Sequence, residues 1–400
     1  MVTTTHPAPD TDVSPQDDEL EPVPVPLDQV PDVCAALLRI GIPPFTDGVL
    51  EARPGRNDNW SGRIADGREI FVKQIGGGGR ENATTRFDRE RGCHTFLAAT
   101  GTTGVRTPAL LGADRDALVL VHERLSDAVS GSRLSQRREF DAKLAAEAGR
   151  LVGSLHAQPV AAIPAEIRAD LPDGALRDGR AGSLSCLSLE RYVASSAGEL
   201  GVWELLQHDR RLRAAMGDLS ASTALAVRAP GHGDLRLDQF LYADGELYLT
   251  DWEEFGPLDP ACDVGAFAGE WLYRAARRMF TDVDPEEAGD AHSAFAASGD
   301  RQLNEVRPLI AAFWRGYREV RGAAADRALA ERAVAFAGWH LFDRVFATTV
   351  HASRITEVDR GIAGVGRGAL LTPASFVSVL GLADDGDPMD EYREQNREYV

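Results

Sequence analysis

The sequence predicts an α+β protein of two lobes: a small N-terminal antiparallel β-sheet lobe with one helix, then a larger, mainly helical C-terminal lobe. Three observations predict it. Residues 31–125 carry short apolar runs between turn signals, whereas beyond 125 apolar residues recur at helical spacing. The chain has 400 residues, too many for one small core. A strand pair at 239–251 interrupts the helical half, so that half has its own sheet element.

The elements follow in order. Residues 1–30 are rich in proline and acid, hold no lysine or arginine, and are expected to form a disordered tail. Asp66-Gly67 reads as a turn into a strand over 69–75, and "ALVLVHERL" (117–125) as a second, buried strand. Between them, Phe87, Cys93, Phe96 and Leu97 fall at helical spacings. Past 125, Phe140, Leu144, Ala148, Leu151 and Leu155 mark one helix face, and the Gly- and Pro-containing stretch 163–186 reads as loop. Helices are expected in 195–217, 263–280, 302–321 and 324–354. Trp271, Tyr273, Trp314, Trp339 and Phe342 recur within them at core spacing, and 384–400 is a second polar tail. The expected units are thus 31–125 and 126–383, with no internal repeat.

Composition excludes several function classes. A formal net charge of −19 argues against nucleic acid as partner, because a phosphate backbone needs a basic face. No run of eighteen apolar residues predicts a membrane span, and the N-terminus lacks the basic-then-apolar pattern of a secretory signal. Cys34, Cys93, Cys186 and Cys262 are scattered without a CxxC pair, which argues against zinc and dithiol sites and fits a reducing cytoplasm.

The informative stretch is "GHGDLRLDQFLYADGELYLTDWEEF", residues 231–255. Asp244-Gly245 between "QFLY" and "ELYLT" predicts a hairpin. A hairpin brings its outer ends together, so Asp234 and Asp251 should converge. Two carboxylates and the Gln239 amide at one end of a short sheet suit a hard cation such as Mg²⁺. Each acid alone would pass for a turn residue; the order His-x-Asp, hairpin, Asp-Trp is what makes the pattern specific.

That stretch resembles the catalytic loop of aminoglycoside phosphotransferase-like kinases, relatives of protein kinases, whose pattern is H-G-D-x-x-x-x-N, a hairpin, I-D-W-E and D-P-x-x-D. His232, Gly233 and Asp234 match, as do Asp251-Trp252-Glu253 and Asp259-Pro260 with Asp263. The resemblance implies a two-lobed kinase-like fold using ATP and Mg²⁺, with 31–125 as the nucleotide-binding lobe and 126–383 as the catalytic and substrate lobe. It implies Asp234 as catalytic base and Asp251 as metal ligand, with Gln239 standing where the family has its metal-binding Asn. Lys73 in "IFVK" takes the place of the lysine that holds the α- and β-phosphates, and Glu90 that of its helix partner. "PGRNDNWSG" (54–62) occupies the position of the phosphate-covering hairpin without the usual glycine spacing; Gly55, Asn57 and Asn59 are its candidate phosphate contacts. "GGGG" (76–79) is expected to be a flexible connection. Backbone atoms around Glu123–Leu125 are expected to hold adenine, and Arg236 to neutralise the γ-phosphate, at an offset where serine/threonine kinases carry lysine and small-molecule relatives commonly histidine.

A closer resemblance concerns the acceptor. "PGRNDNWSG", "DLRLDQF", "LYLTDWEEF" and "DVGAFAGEWL" look like the kinase subunit of class V lanthionine synthetases. This implies phosphorylation of Ser and Thr hydroxyls in a ribosomally made precursor peptide, with a separate lyase and cyclase as partners. Two other readings stand beside it: a small-molecule O-phosphotransferase acting on an aminoglycoside, macrolide or metabolite alcohol, and a catalytically silent kinase-like scaffold.

Overall fold

The computed structural model describes residues 22–53, 55–77, 79–102, 104–169, 186–282 and 291–383. Residues 1–21 and 384–400 of the expected tails, most of the expected loop 163–186, and Gly78 lie outside the described residues.

The N-terminal lobe is a six-stranded antiparallel sheet in the order β1-β2-β3-β4-β6-β5. Its strands are β1 (Val23–Pro26), β2 (Val49–Arg53), β3 (Asp58–Arg63), β4 (Glu69–Gln74), β5 (Leu110–Asp114) and β6 (Val119–Glu123). The expected disordered tail is corrected here: β1 pairs with β2, and a single helical turn, Leu27–Gln29, follows it. Pro24 and Pro26 are tolerated because β1 is an edge strand, where a missing N–H breaks no ladder. The lobe also has two described helices, not one: α1 (Pro31–Arg39) and α2 (Arg80–Thr100). Strand alternation divides them between the two faces. Ile70, Val72, Val119 and Val121 join Val33, Ala36 and Leu37 of α1 in one core, while Leu118 and Leu120 join Ala83 and Phe87 of α2 in the other. Lys73, one residue on from Val72, therefore points to the α2 side.

The chain crosses to the second lobe after β6. Short elements follow: β7 (Val129–Ser130), α3 (Gly131–Gln136), α4 (Ala142–His156), α5 (Ala165–Ala169), α6 (Leu189–Ala194), α7 (Ala197–His208) and α8 (Arg210–Leu225). The helix α5 falls inside the stretch read as loop. Then come β8 (Ala229–Gly231), β9 (Phe240–Ala243), β10 (Glu246–Leu249) and β11 (Gly256–Leu258), and the long helices α9 (Ala261–Thr281), α10 (Ala291–Arg321), α11 (Arg327–Thr349), α12 (Glu357–Leu371) and α13 (Pro373–Val379). The last two were not foreseen. One large core holds the lobe together, and Trp271, Tyr273, Trp314, Trp339 and Phe342 are all buried in it, as their spacing predicts. Among the described residues, no single helix is long and apolar enough to cross a membrane.

Candidate active site

The site is built from two small strand pairs and one buried lysine. Strands β9 and β10 pair in the predicted hairpin, with Leu249 opposite Phe240 and a turn whose Asp244 and Gly245 both take positive φ. Strands β8 and β11 pair outside it, with Gly256 opposite Gly231. Segments 232–239 and 250–255 are therefore held side by side between two ladders. Bonds across the gap stitch them: the Thr250 amide donates to the Gln239 carbonyl at 2.9 Å, and His232 Nε2 meets the Thr250 carbonyl at 2.8 Å. A carbonyl only accepts, so Nε2 carries the proton. His232 Nδ1 is left to accept the Asp234 amide, 3.3 Å away.

The loop is anchored from below by Asp263, fully buried at the start of α9. It accepts the backbone amides of His232 at 2.7 Å and Gly233 at 2.8 Å, and meets His156 Nε2 at 3.0 Å. His156 Nδ1 lies 3.0 Å from the Tyr317 hydroxyl. Burial alone would raise the Asp263 carboxyl, but these hydrogen bonds and the neighbouring imidazoles hold it below the ordinary range. Asp259 receives Arg332 of α11 through two nitrogens, at 2.7 and 3.2 Å. The two aspartates of D-P-x-x-D thus fix the loop to the helical core.

Above this floor sits Lys73, almost wholly buried. Its ammonium contacts Glu90 at 2.7 Å, Glu253 at 2.8 Å, and Asp251. Burial opposes the charge, yet the carboxylates of Asp251, Glu90 and Glu253 outweigh it and hold the pKa of Lys73 above its ordinary value. Glu90 is pushed up to about 7, chiefly by burial, with Lys73 offsetting part of the rise. Burial would also raise Asp251, but the Lys73 ammonium holds it below its ordinary value. Asp251 itself takes φ 65° and ψ 61°, a left-handed conformation that short polar side chains tolerate and that recurs at functional sites.

Three of the four expected cleft residues, Lys73, Glu90 and Asp251, are in direct contact. The fourth, Asp234, is close enough to act on the Asp251 charge, and Arg236 lies between the acids, 3.7 Å from Asp234 and 3.3 Å from Asp238. Gln239 is buried beside them; its side-chain amide nitrogen lies 3.4 Å from Asp238. Asn59 stands opposite Lys73 across β3 and β4, with a buried Oδ1 that makes no hydrogen bond. Asn57 is placed differently from its expected phosphate-contact role: its side chain is buried, bonded to Glu253 and to the Gly76 amide. A side chain on Gly55 would meet only the Asn57 carbonyl, at 3.7 Å, so no close approach demands glycine there. At the crossing between lobes, the Glu123 amide is committed to the Ala109 carbonyl and the Leu125 carbonyl accepts from Ala128.

Glu253 carried no role in the sequence reading, yet it is 2% exposed and contacts Lys73, Asn57, Arg56 and Arg86. In the sequence it appears as the last residue of the match to I-D-W-E, with no role attached to it. For a divalent ion, oxygen donors are the right chemistry, and Glu90, Asp251 and Glu253 place ligand oxygens within 4.8 Å of one another. Glu90 and Glu253 are sealed by Lys73, whereas Asp251 is partly open, so Asp251 is the member that fits a metal shared with a nucleotide.

The sequence matches the family model of the phosphotransferase enzyme family (APH) over residues 55–309, more than half of the chain. No curated protein matches it. Among solved structures it is similar to a choline/ethanolamine kinase family protein from Mesorhizobium loti, at 18% identity, covering 89% of this chain and 99% of that one, with TM-score 0.47. It is also similar to a macrolide 2′-phosphotransferase from Brachybacterium faecium, at 14% identity, covering 85% and 98%, with TM-score 0.45. An amicoumacin kinase solved with AMP-PNP and Ca²⁺ is similar at 14% identity, covering 86% and 93%, with TM-score 0.49. With the matched region spanning Lys73, the catalytic loop and both anchoring aspartates, the chain belongs to the aminoglycoside phosphotransferase family of protein-kinase-like enzymes and is a phosphotransferase that uses ATP and a divalent metal on a hydroxyl acceptor.

Proposed function

We propose that the acceptor is a hydroxyl of a small polar molecule. The observation that carries this is the family match itself over 55–309, together with an Asp234 side chain left 41% exposed at the rim of the site. The net charge of −19 favours a cationic acceptor, by long-range attraction. In this reading Lys73, fixed by Glu90, holds the α- and β-phosphates, and Asp251 with Gln239 holds the metal. When bound, the metal neutralises charge on the transferring phosphoryl group. Asp234 orients the acceptor hydroxyl and takes its proton, and Arg236 faces the γ-phosphate. Catalysis of this kind is positioning plus charge neutralisation, which a prebuilt cluster of buried ions supplies.

A second reading keeps the precursor-peptide acceptor, with a separate lyase and cyclase acting afterwards in the cytoplasm. Arg236 favours it, as a cation where small-molecule relatives commonly have histidine. The test is one experiment with two arms. The protein is incubated with Mg-ATP and either a panel of aminoglycosides, macrolides and amino alcohols or a Ser/Thr-rich precursor peptide, and the products are weighed. Phosphorylated small molecules support the first reading. Phosphopeptide alone overturns it in favour of the second.

A further inference from the structure

We propose that Glu253 is a positioning residue for nucleotide binding: it latches the turn at 55–57 and the helix α2 onto the Lys73 ammonium, and so shapes the polyphosphate site. Four donors converge on this one carboxylate. Oε1 takes Lys73 Nζ at 2.8 Å and the Asn57 amide; Oε2 takes Arg86 Nη1 at 2.9 Å and Arg56 Nη2 at 2.6 Å. The latch extends outward on both sides. Asn57 Oδ1 accepts the Gly76 amide at 3.1 Å, and Arg86 Nη2 donates to the carbonyls of Gly76 and Gly77. Thus the turn after β2, the connection after β4 and α2 all meet at Glu253. Its neighbour Glu254 adds a second tie to α2 through Arg89, at 2.8 Å.

The chemistry requires a carboxylate. Four donors need an acceptor with two oxygens, and a glutamine would turn its NH₂ against another donor. Arg86 is buried and needs a counter-ion. The turn lacks the glycine spacing of a phosphate-cradling loop, so its order comes from side-chain ties to the site beneath. A turn held in place before the nucleotide arrives does not have to be ordered on binding. Asp234, by contrast, is held between the β8–β11 and β9–β10 pairs, whereas Asp251 shares the Lys73 ammonium with Glu253. Loosening the latch from its outer side, at Arg56, should therefore weaken nucleotide binding and leave turnover at saturation alone.

The experiment measures the dissociation constant of Mg-AMP-PNP by calorimetry, and KM and kcat for slow ATP hydrolysis with water as acceptor. Neither needs the true acceptor, so the result is independent of which substrate reading holds. Arg56→Ala, Asn57→Ala, Glu253→Gln and the Asn57→Ala/Glu253→Gln double variant are compared. The single variants are expected to raise Kd and KM by roughly threefold to tenfold, and Arg56→Ala to do so at unchanged kcat. The double variant is expected to lose less than the sum of the two single losses, because both single variants weaken the Asn57–Glu253 tie. Arg56 is half-exposed, so its removal empties no core and decides the matter even if Glu253→Gln does not fold. Wild-type nucleotide affinity in folded Arg56→Ala and Asn57→Ala, additive losses in the double variant, or a fall in kcat of Arg56→Ala matching that in its kcat/KM would each overturn the proposal.

Discussion

At the scale of single residues, the site is an ion cluster in which three carboxylates share one ammonium. Removing Lys73 would leave Glu90 buried without its cation, at about 3–5 kcal/mol, so Lys73 variants should lose stability together with activity. Asp234 offers a cleaner probe, since its side chain is partly exposed. Asp234→Ala is expected to lower kcat by roughly 10²- to 10⁴-fold while Mg-AMP-PNP binds nearly as before; unchanged turnover would remove Asp234 from its role. Asp251→Ala is expected to weaken Mg²⁺-dependent nucleotide binding by more than the roughly 10- to 100-fold that losing an outer-shell partner costs, read by calorimetry with and without Mg²⁺. Behind Glu90 lie His94 and His122, edge to face, each with a buried Nε2 that makes no hydrogen bond. Burial depresses His94 from 6.5 to about 4, and burial, His94 and Lys73 depress His122 to about 3. Their folded pKa values lie below the unfolded ones, so the stability they permit is fully present above about 6.5 and is lost as pH falls toward 4. Thermal denaturation at pH 7 and pH 5 should show a drop in Tm on acidification that is smaller in His94→Leu; an equal drop would refute the assignment.

At the scale of elements, the catalytic geometry depends on helices that approach very closely. A side chain on Gly316 of α10 would press into the Ala146 backbone carbonyl of α4, and one on Gly149 of α4 would press into the Phe313 carbonyl of α10. The same two helices carry Tyr317 and His156, the chain that supports Asp263. Gly316→Ala is therefore expected to cost about 1–3 kcal/mol by overpacking, read by chemical denaturation, and to lower activity by shifting His156. The hairpin is the element most legible in the sequence. Asp-Gly between two alternating runs specifies a turn with positive φ at both central positions, and the turn sets the register of the strands. The β8–β11 pair was not legible, because Ala-Pro-Gly and Gly-Pro-Leu have no strand propensity. Those segments pair because the hairpin and Asp263 have already brought them together. For β1 the misreading has a similar cause: a Pro-rich acidic stretch has no order of its own and takes it from the edge of β2.

At the scale of the whole molecule, the two lobes meet through Lys73 on one side and Asp251 and Glu253 on the other, at the site proposed above for the nucleotide. Nucleotide should therefore stabilise both at once. Mg-AMP-PNP at a hundred times its Kd is expected to add about 2.7 kcal/mol and to raise Tm for both lobes together. A shift confined to one lobe would argue against a shared site. The scaffold reading is set aside at this scale, since family membership and an intact cluster of Lys73, Glu90 and Asp251 describe an enzyme.

The sequence by itself determined the Asp244-Gly245 hairpin, the strands β4 and β6, the long helices α2, α4, α9 and α11, the convergence of Asp234 with Asp251, and the family. These rest on local turn chemistry and short spacings, which act within a few residues of one another. Only the tertiary structure decided what Lys73 and Asn57 touch. The Lys73–Asp251 and Asn57–Glu253 pairs join residues 178 and 196 positions apart, and no periodicity or turn rule reaches so far. Burial is the physical reason they form: docking the lobes removes water from Lys73, Arg86 and Glu253, and in that dry space each charge must take the opposite charge the fold has brought nearest.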